Sequence, residues 1–217
     1  MKTAIIIGAT GLIGKHLTEL LLEDSRYSKV KIFARRTSGI SNPKLEEHIV
    51  DFNSMLKWKT KISGDDLFSA MGTTKKKAGS KKNQYNIDFT YQFEFAKAAS
   101  ENGVGNYFLV SSAGATADSR NYYLRIKGEL EKEISKLPFK KIAIFKPSLL
   151  VGKREENRVG EKIGFIFISL FIRIIPALKK YRPIAGTDVA RAMIRSANNE
   201  STERILKYEL TEIFSLL

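Results

Sequence analysis

The sequence predicts an α/β protein with a doubly wound parallel β-sheet that carries helices on both faces. Two observations lead to this prediction. Strand-like and helix-like patterns alternate over the first 150 residues of the 217-residue chain, which is typical of a parallel sheet. A glycine-rich turn also joins the first strand to the first helix, within residues 2–14. We therefore expect a single Rossmann-type domain over residues 1–217, of which residues 151–217 form mostly a small C-terminal lobe on the substrate side.

The glycine-rich turn predicts a binding site for a dinucleotide. The apolar strand Ala4–Ile7 stops at Gly8, and the sequence GATGLIG at residues 8–14 leads into an amphipathic helix. In such turns the first glycine permits the tight bend, the second lets the backbone approach the phosphates, and the third lets the helix pack closely on the strand. Free N–H groups at the start of the helix face the anion. Unless the glycines are incidental to an ordinary turn, we expect the cofactor to contact Gly8, Thr10, Gly11, Leu12 and Ile13.

The end of the second strand predicts which dinucleotide is bound. This strand, Val30–Ala34, ends in Arg35 and Arg36. In this type of fold the residue after the second strand meets the adenosine ribose, where a carboxylate selects the free 2′-hydroxyl of NAD. Two guanidinium groups would instead pair with a 2′-phosphate. The sequence therefore favours NADP(H), with NAD(H) as the alternative, unless both arginines belong to a solvated turn.

The ends of the third and fourth strands extend the predicted cofactor site. The third strand is predicted at His48–Val50, after which Asp51 can accept a hydrogen bond from the adenine amino group and Phe52 can supply its backbone or an apolar wall. Asp51 can equally cap the next turn. The fourth strand is predicted at Leu67–Met71, and the edge that we expect to face the middle of the dinucleotide consists of Met71, Gly72 and Thr73. A mobile loop at residues 75–82 and a helix over residues 84–102 are predicted next.

Polar residues after the fifth strand form a candidate catalytic group. The strand Asn106–Val110 ends at Ser111 and Ser112, and the next helix carries Tyr123 and Lys127. Residues four apart share one helical face, and this face can meet the end of the strand and bring a serine hydroxyl beside the phenol. An unperturbed phenol keeps its proton up to a pKa of about 10, and a nearby ammonium favours the phenolate, so the tyrosine can exchange a proton nearer neutral pH. The lysine can also bind the nicotinamide ribose, and the serine can hold the reacting oxygen; the alternative is a core tyrosine and a solvated lysine.

Four segments together resemble the atypical, extended-type short-chain dehydrogenase/reductases, most closely the oxidoreductases similar to the HIV Tat-interacting protein. The segments are GATGLIG at 8–14, LVSSAGA at 109–115, YLRIKGELE at 123–131 and KPSLLVGKREENRVGE at 146–161. The resemblance implies a Rossmann fold, a nicotinamide cofactor, Tyr123 as the acid/base and Lys127 as its partner. It also implies Ser112 as the catalytic serine, with Ser111 as the second choice and as a cofactor contact.

The end of the sixth strand is a further candidate cofactor contact. The strand Lys141–Phe145 is followed, one residue later, by Pro147, Ser148 and Leu149. A proline removes a donor and ends the strand, so the backbone of these residues is free to hydrogen-bond the nicotinamide carboxamide, a role that the resemblance also implies. The alternative is a simple strand-ending proline.

From these features we predict an NADP(H)-dependent oxidoreductase that transfers a hydride between the nicotinamide and a carbonyl or alcohol carbon. Two alternatives stay open: an interaction protein that senses NADPH with little turnover, and a sugar-nucleotide epimerase or dehydratase-like enzyme. The pair of Tyr123 and Lys127 favours an enzyme over a sensor, because a sensor needs no tuned phenol. The small C-terminal lobe disfavours a site for a nucleotide-diphosphate sugar.

Composition and charge disfavour other classes of protein. The chain contains no cysteine, and neither His16 nor His48 lies in a metal-ligand cluster, so we expect no disulfide, no thiolate chemistry and no metal. Its 37 basic and 23 acidic residues give a net charge of +14, but the lysines lie in short scattered groups without a recognition motif. We therefore expect no specific nucleic-acid partner and, because no targeting segment precedes the first strand, a cytoplasmic location.

The most apolar stretch of the chain is Ile163–Leu178, whose 16 residues are fewer than the roughly 20 that a membrane-spanning helix needs. It can be a buried helix that lines the substrate pocket, a dimer face, or a helix at a membrane interface. We favour the first, which predicts a small-molecule substrate of lipophilic character, disfavours membrane contact, and leaves a monomer or a homodimer open.

Overall fold

The computed structural model of the protein describes residues 1–151 and 182–217, and its centre is a seven-stranded sheet. The strands are β1 (Lys2–Ile7), β2 (Tyr27–Ala34), β3 (Leu45–Ile49), β4 (Asp66–Ser69), β5 (Asn106–Val110), β6 (Lys141–Lys146), β7 (Leu150–Val151), β8 (Ile184–Ala185) and β9 (Ile205–Glu209). The order across the sheet is β3-β2-β1-β4-β5-β6-β9, and every neighbouring pair is parallel. The strand order reverses between β1 and β4, and in such sheets the ligand crevice lies outside the carboxyl ends of the strands at this point.

Helices cover both faces of the sheet. They are α1 (Leu12–Glu23), α2 (Lys75–Ala78), α3 (Lys81–Tyr85), α4 (Tyr91–Glu101), α5 (Tyr122–Ile134) and α6 (Gly186–Asn198). Ala4 and Ile6 of β1 pack into one core with α1 and α6, whereas Ile5 and Ile7 pack into a second core with α4 and α5. Because β1 is buried on both faces, its sequence is continuously apolar rather than alternating. The predicted Rossmann-type, doubly wound sheet is confirmed.

Several strand boundaries differ from the prediction, and the largest differences are in β2, β3 and β4. The strand β2 begins at Tyr27 rather than Val30, β3 covers Leu45–Ile49 rather than His48–Val50, and β4 ends at Ser69 rather than Met71. The strand β3 lies at the edge of the sheet, and its sequence LEEHI is half-exposed and mostly polar. The apolar pattern of β3 is therefore weak, and the predicted strand overlaps only the last residues of the observed one.

The prediction of a loop over residues 75–82 is wrong. The helices α2 and α3 occupy this region, and Gly79 separates them in a left-handed conformation (φ 77°). Side chains cap both helices: the Oγ1 of Thr74 accepts from the N–H of Lys77 (3.3 Å), and the Oγ of Ser80 accepts from the N–H of Asn83 (3.1 Å). A π-helical turn at Asn86–Thr90 then joins α3 to α4, so the helix predicted over residues 84–102 is not regular.

The described part of the C-terminal region belongs largely to the main sheet. The helix α6 packs on α1, and β9 extends the sheet beside β6, while β7 and β8 pair separately. Residues 152–181 lie outside the described residues. The interpretations given for Ile163–Leu178, including the substrate pocket, fall in that part of the chain.

Candidate functional site

The turn between β1 and α1 has the tight geometry that its glycines predict. Gly8 adopts φ 81°, and a Cβ at this position would lie 2.5 Å from the backbone of Ala70. A Cβ on Gly14 would lie 2.0 Å from the carbonyl oxygen of Gly8. Gly8 therefore lets β1 and the end of β4 meet, and Gly14 lets α1 start directly against the turn.

The start of α1 offers donors for an anion. Gly11 precedes the helix and is exposed, and no side chain of the described residues caps the helix. The backbone N–H groups of Leu12 and Ile13 have no acceptor among the described residues, as is usual in a first helical turn. Thr10 is exposed beside them. The five predicted residues of this turn thus lie together, and their backbone can receive a diphosphate.

A cavity of about 290 Å³ lies where the adenosine end of the cofactor is predicted. Arg35, Asp51 and Phe52 line it together, although they follow different strands. Lys77 of α2 also lines this cavity, and the sequence analysis did not assign it to the site. Arg36 is exposed and lies outside the residues that line the cavity, so the two predicted arginines are not equivalent.

Asp51 acts as a cap in this structure, which was the alternative prediction for it. Its carboxylate accepts from the backbone N–H of Asn53 (3.0 Å) and from the hydroxyl of Ser54 (3.3 Å). The bond from the backbone of Asn53 is the main reason why the pKa of the Asp51 carboxyl is lowered. Phe52 is buried and stacks on Tyr91, with ring centroids 5.6 Å apart, so it forms an apolar wall behind the carboxylate.

Lys127 lies at the carboxyl ends of β4 and β5. Its side chain is only 3% exposed, and its Nζ donates to the carbonyl oxygens of Met71 (3.4 Å) and Val110 (3.5 Å). Gly128 lets α5 pack directly against the backbone of Thr116, because a Cβ there would lie 2.1 Å from it. The side chain of Lys127 is thus held inside the crevice. It is not solvated, which was the alternative prediction.

The start of α5 sets the position of Tyr123. The Oδ1 of Asn121 accepts from the backbone N–H groups of Tyr123 (3.0 Å) and Leu124 (3.2 Å), so Asn121 is the N-cap. Tyr123 is half-buried, and as it precedes Lys127 by four residues the two share one face of α5.

The two serines after β5 have different environments. The hydroxyl of Ser111 is buried and donates to Oε1 of Glu131. The hydroxyl of Ser112 is half-buried and has no hydrogen-bond partner among the described residues. Only Ser112 therefore has a hydroxyl available to a ligand in this structure.

Ser111 belongs to a buried polar network that sequence reasoning missed. The carboxylate of Glu131 lies 3.6 Å from the Nζ of Lys146, which also donates to the carbonyl oxygen of Ala115 (3.1 Å). Burial raises the pKa of the Glu131 carboxyl, and the Ser111 hydroxyl and the Lys146 ammonium oppose this. This network fixes the turn that presents Ser112.

Asp88 is a further residue that was not predicted from the sequence. It lies in the π-helical turn and is fully buried, with its Oδ1 3.9 Å from the Nζ of Lys127. A signal existed in the sequence: Gln84, Asp88 and Gln92 recur every four residues, and all three are buried. Such a polar stripe on the inner face of a helix needs partners.

The segment after β6 lies beside the serine turn. Pro147 is buried, and its carbonyl oxygen accepts from the N–H of Ala113 (3.0 Å). The hydroxyl of Ser148 donates to the carbonyl oxygen of Arg182 (2.6 Å). The backbone N–H groups of Ser148 and Leu149 have no acceptor among residues 1–151 and 182–217, so the predicted contact to a carboxamide is geometrically open.

Neither a metal-ligand cluster nor a membrane-spanning helix occurs among the described residues. Over residues 1–151 and 182–217, no cluster of three or more metal-ligating side chains was found. Within the same ranges no helix is both long and apolar enough to cross a bilayer.

The chain is similar to known proteins at the levels of family, sequence and fold. A family model described as NAD(P)H-binding matches residues 8–139. A protein of Emericella nidulans named "Protein fmp52, mitochondrial" is 31% identical over 211 residues, which cover 92% of this chain and 91% of the relative. "Protein FMP52, mitochondrial" of Candida glabrata is 35% identical over 211 residues, which cover 92% of this chain and 87% of the relative.

Solved structures with the same fold are less similar in sequence. The Bordetella bronchiseptica enzyme WbmH in complex with NAD⁺ matches with a TM-score of 0.73 and 17% identity, over 96% of this chain and 75% of that chain. The UDP-glucose 4-epimerase of Thermotoga maritima with UDP-glucose matches with a TM-score of 0.69 and 13% identity, over 95% and 76% of the two chains. These matches confirm the Rossmann-type fold.

The names of the relatives correct one prediction. A cytoplasmic location was predicted from the sequence, but the relatives are named mitochondrial proteins, which contradicts that prediction. The expectation rested on the missing targeting signal and the lack of cysteine, and neither is specific to one reducing compartment.

Proposed function

Because the chain belongs to the NAD(P)H-binding family, we propose that it is an NADP(H)-dependent oxidoreductase that acts on a carbonyl or alcohol through Tyr123, Lys127 and Ser112. The observation that carries the proposal is the position of Lys127, whose nearly buried ammonium lies at the ends of β4 and β5 on the same helix as Tyr123. A lysine without a role in the crevice would be expected in solvent.

The residues around the crevice fit a dinucleotide. The free N–H groups of Leu12 and Ile13 would bind the diphosphate, and the cavity beside Arg35 would hold the adenosine end. Gly72 is exposed next to Lys127, and its lack of a side chain leaves room for the ribose of the nicotinamide. The N–H groups of Ser148 and Leu149 would hold the carboxamide. When bound, the nicotinamide donates or accepts the hydride.

The protein's own residues would move the proton and hold the oxygen. The phenol of Tyr123 gives a proton to the forming alkoxide, or takes one from an alcohol. An ammonium near a phenol stabilises the phenolate that remains, which is the part that Lys127 plays. The hydroxyl of Ser112 donates to the reacting oxygen and fixes its position beside Tyr123.

The test is NADPH oxidation against a panel of carbonyl compounds, with Tyr123→Phe and the matched control Tyr122→Phe. The hydroxyl of Tyr122 donates to the carbonyl oxygen of Lys81 (2.9 Å), so its loss should leave turnover intact. We expect Tyr123→Phe to lower turnover by about 10²- to 10⁴-fold while NADPH still binds.

Other outcomes would support the alternatives. Tight NADPH binding without turnover of any carbonyl would contradict the proposal and support a cofactor sensor. Interconversion of UDP-sugars with retained NAD would support an epimerase, the activity named for the Thermotoga maritima protein. The closer kinship with the oxidoreductases similar to the HIV Tat-interacting protein rests on the sequence motifs, and a lipophilic substrate rests on the apolar sequence of Ile163–Leu178.

The preference for NADP(H) has its own test. Arg35 lines the adenosine cavity and Arg36 does not. A charge-assisted hydrogen bond contributes about 1.5–3 kcal/mol, so Arg35→Ala should weaken NADPH binding by about 10- to 100-fold and leave NADH binding unchanged. Arg36→Ala should have a smaller effect. Equal affinities for NADPH and NADH before and after Arg35→Ala would contradict the preference.

A further inference from the structure

The π-helical turn at Asn86–Thr90 is built into the protein by a side-chain clamp. The backbone N–H of Tyr91 donates to the carbonyl oxygen of Asn86, five residues earlier. The amide of Gln92 donates to the carbonyl oxygens of Ile87 (3.2 Å) and Asp88 (3.0 Å). Its Oε1 accepts from the hydroxyl of Ser69, at the end of β4 (2.8 Å). The turn is therefore fastened to the strand that borders the crevice, and such turns often occur at functional sites.

This clamp places the carboxylate of Asp88 in the interior of the protein. The residue is fully buried, and its Oδ1 accepts from the backbone N–H of Thr73 (3.0 Å). Its Oδ2 is buried without a hydrogen-bond partner among the described residues. Burial raises the pKa of the Asp88 carboxyl, and the Lys127 ammonium, the Thr73 N–H and the Gln84 amide oppose this only in part.

The contacts of Lys127 explain what this carboxylate does. The two carbonyl oxygens that accept from its Nζ are 3.4 and 3.5 Å away, which are long hydrogen bonds. A buried ammonium needs an opposite charge to remain inside the protein. The only carboxylate within 4 Å of this Nζ, among residues 1–151 and 182–217, is that of Asp88.

We propose that Asp88 is a positioning residue, which holds the ammonium of Lys127 at the ends of β4 and β5 and ties it, through the N–H of Thr73, to the turn at Gly72. The proposal deepens the function proposed above and rests on it. Asp88 touches neither substrate nor cofactor; it acts through Lys127. The exposed Gly72 covers the pair, since a Cβ there would lie 3.3 Å from Oδ1 of Asp88 and 3.9 Å from Nζ of Lys127.

A purely structural role for Asp88 makes a different prediction. Asp88→Asn keeps the shape of the side chain and removes its charge, which burial disfavours. A structural residue would lose stability on this change. A positioning residue would keep the fold and lose the alignment of Lys127, at the expense of function.

The test uses the full chain in four forms: wild type, Asp88→Asn, Lys127→Met and the double variant. Crystal structures report where Lys127 points, and kinetics with NADPH and a carbonyl found in the panel report kcat and KM. We expect the ammonium of Lys127 to leave the carbonyl oxygens of Met71 and Val110 in Asp88→Asn. We also expect kcat to fall about 10- to 100-fold, with KM for the carbonyl little changed.

The double variant separates action through Lys127 from independent action. If Asp88 works through Lys127, the double variant should be no slower than Lys127→Met, because the effects of residues that act as one unit are not additive. Additive effects would overturn the proposal. The matched control is Asp66→Asn, another fully buried aspartate far along β4 from the crevice, which should not change kcat.

Each remaining outcome also decides the question. An unchanged position of Lys127 in Asp88→Asn would overturn the proposal whether or not the protein proves to be an oxidoreductase. If Lys127 is displaced in Asp88→Asn but the wild-type protein shows no turnover, the proposed function is contradicted, whereas the proposal that Asp88 positions Lys127 is supported. Loss of the fold in Asp88→Asn, with Asp66→Asn folded, would identify Asp88 as a structural residue and overturn the proposal.

Discussion

The protein buries one aspartate at the amino ends of the strands and another at their carboxyl ends, and the two carboxylates have different surroundings. We name these two ends of the sheet the amino edge and the carboxyl edge. At the amino ends of the strands, Asp66 accepts from the hydroxyl of Tyr27 (2.6 Å) and the amide of Asn106 (2.7 Å), and its Oδ2 lies 3.2 Å from the Nζ of Lys2. At the carboxyl ends, Oδ1 of Asp88 accepts from the N–H of Thr73 (3.0 Å) and lies 3.9 Å from the Nζ of Lys127, whereas its Oδ2 has no hydrogen-bond partner among the described residues. Both side chains are fully buried.

The difference separates a network that stabilises the fold from one that serves the crevice. Every oxygen of Asp66 has a close donor, so its burial is compensated. Asp88 is compensated only in part, and an unsatisfied buried group costs stability. Proteins retain such costs mostly where function requires them, which is consistent with a role for the carboxyl edge and a structural role for the amino edge.

The largest effect is expected from breaking the amino edge. Asp66→Ala removes the acceptor of both the buried Tyr27 hydroxyl and the half-buried Asn106 amide. We expect the free energy of unfolding to fall by about 4 kcal/mol, measured by urea denaturation. Folded protein should still bind NADPH with unchanged affinity. A loss below about 1 kcal/mol would show that this network is as weak as a surface ion pair.

The second effect comes from closing the turn at the carboxyl edge. Gly8 and Gly103 have nearly the same φ, 81° and 83°, but a Cβ at Gly8 meets the backbone of Ala70 at 2.5 Å and a Cβ at Gly103 meets nothing within 4 Å. Gly103→Ala should therefore cost only the conformational strain, about 1 kcal/mol. Gly8→Ala should cost about 2 kcal/mol more in the same unfolding experiment. Equal losses would mean that the contact with β4 is not tight.

A third, more selective effect is expected at Gly72. In Gly72→Ala the added methyl group is exposed beside Lys127, where we propose that the cofactor lies. The free energy of unfolding should change by less than about 0.5 kcal/mol, and NADPH affinity should fall about tenfold, which corresponds to about 1.4 kcal/mol. The control is Gly105→Ala near the amino edge, where the nearest atom lies 3.8 Å from the added Cβ. Unchanged affinity in Gly72→Ala would place the cofactor elsewhere.

The smallest effect is a difference in pH dependence between the edges. Burial raises the pKa of Asp88 above its usual 3.8, with Lys127 opposing the shift. The folded state therefore binds this proton more tightly than the unfolded chain, and the stability that it contributes is lost as pH rises from 3.8 through the raised pKa. Asp88→Asn removes this loss, so its stability relative to wild type should increase over that window in urea titrations at several pH values. A constant difference would contradict the direction of the shift.

Many residues of the candidate site at the carboxyl edge were predictable, because they belong to short sequence motifs. The glycines of residues 8–14 constrain the backbone directly, so their position followed from spacing alone. The pair of Tyr123 and Lys127 followed from helical periodicity, and the parallel sheet with helices on both faces followed from the alternation of patterns. The roles assigned to these residues stay predictions until the experiments above are done.

Features that depend on contacts between distant segments were not predictable. The partner of Ser111 is Glu131, twenty residues away, and nothing in the local sequence separates Ser111 from Ser112. Lys77 reaches the adenosine cavity only because α2 folds where a loop was predicted. The π-helical turn was missed because one extra residue in a helix changes the apolar period only slightly.

That one extra residue has an evolutionary consequence. A three-nucleotide deletion within codons 86–90 would remove the extra residue that the wide turn accommodates and let a regular α-helix continue through this stretch. Asp88 would then lose its position beside Lys127, while α4 would keep its packing on the sheet. A lineage could thus silence or regain this site by a single in-frame event, with its architecture left in place.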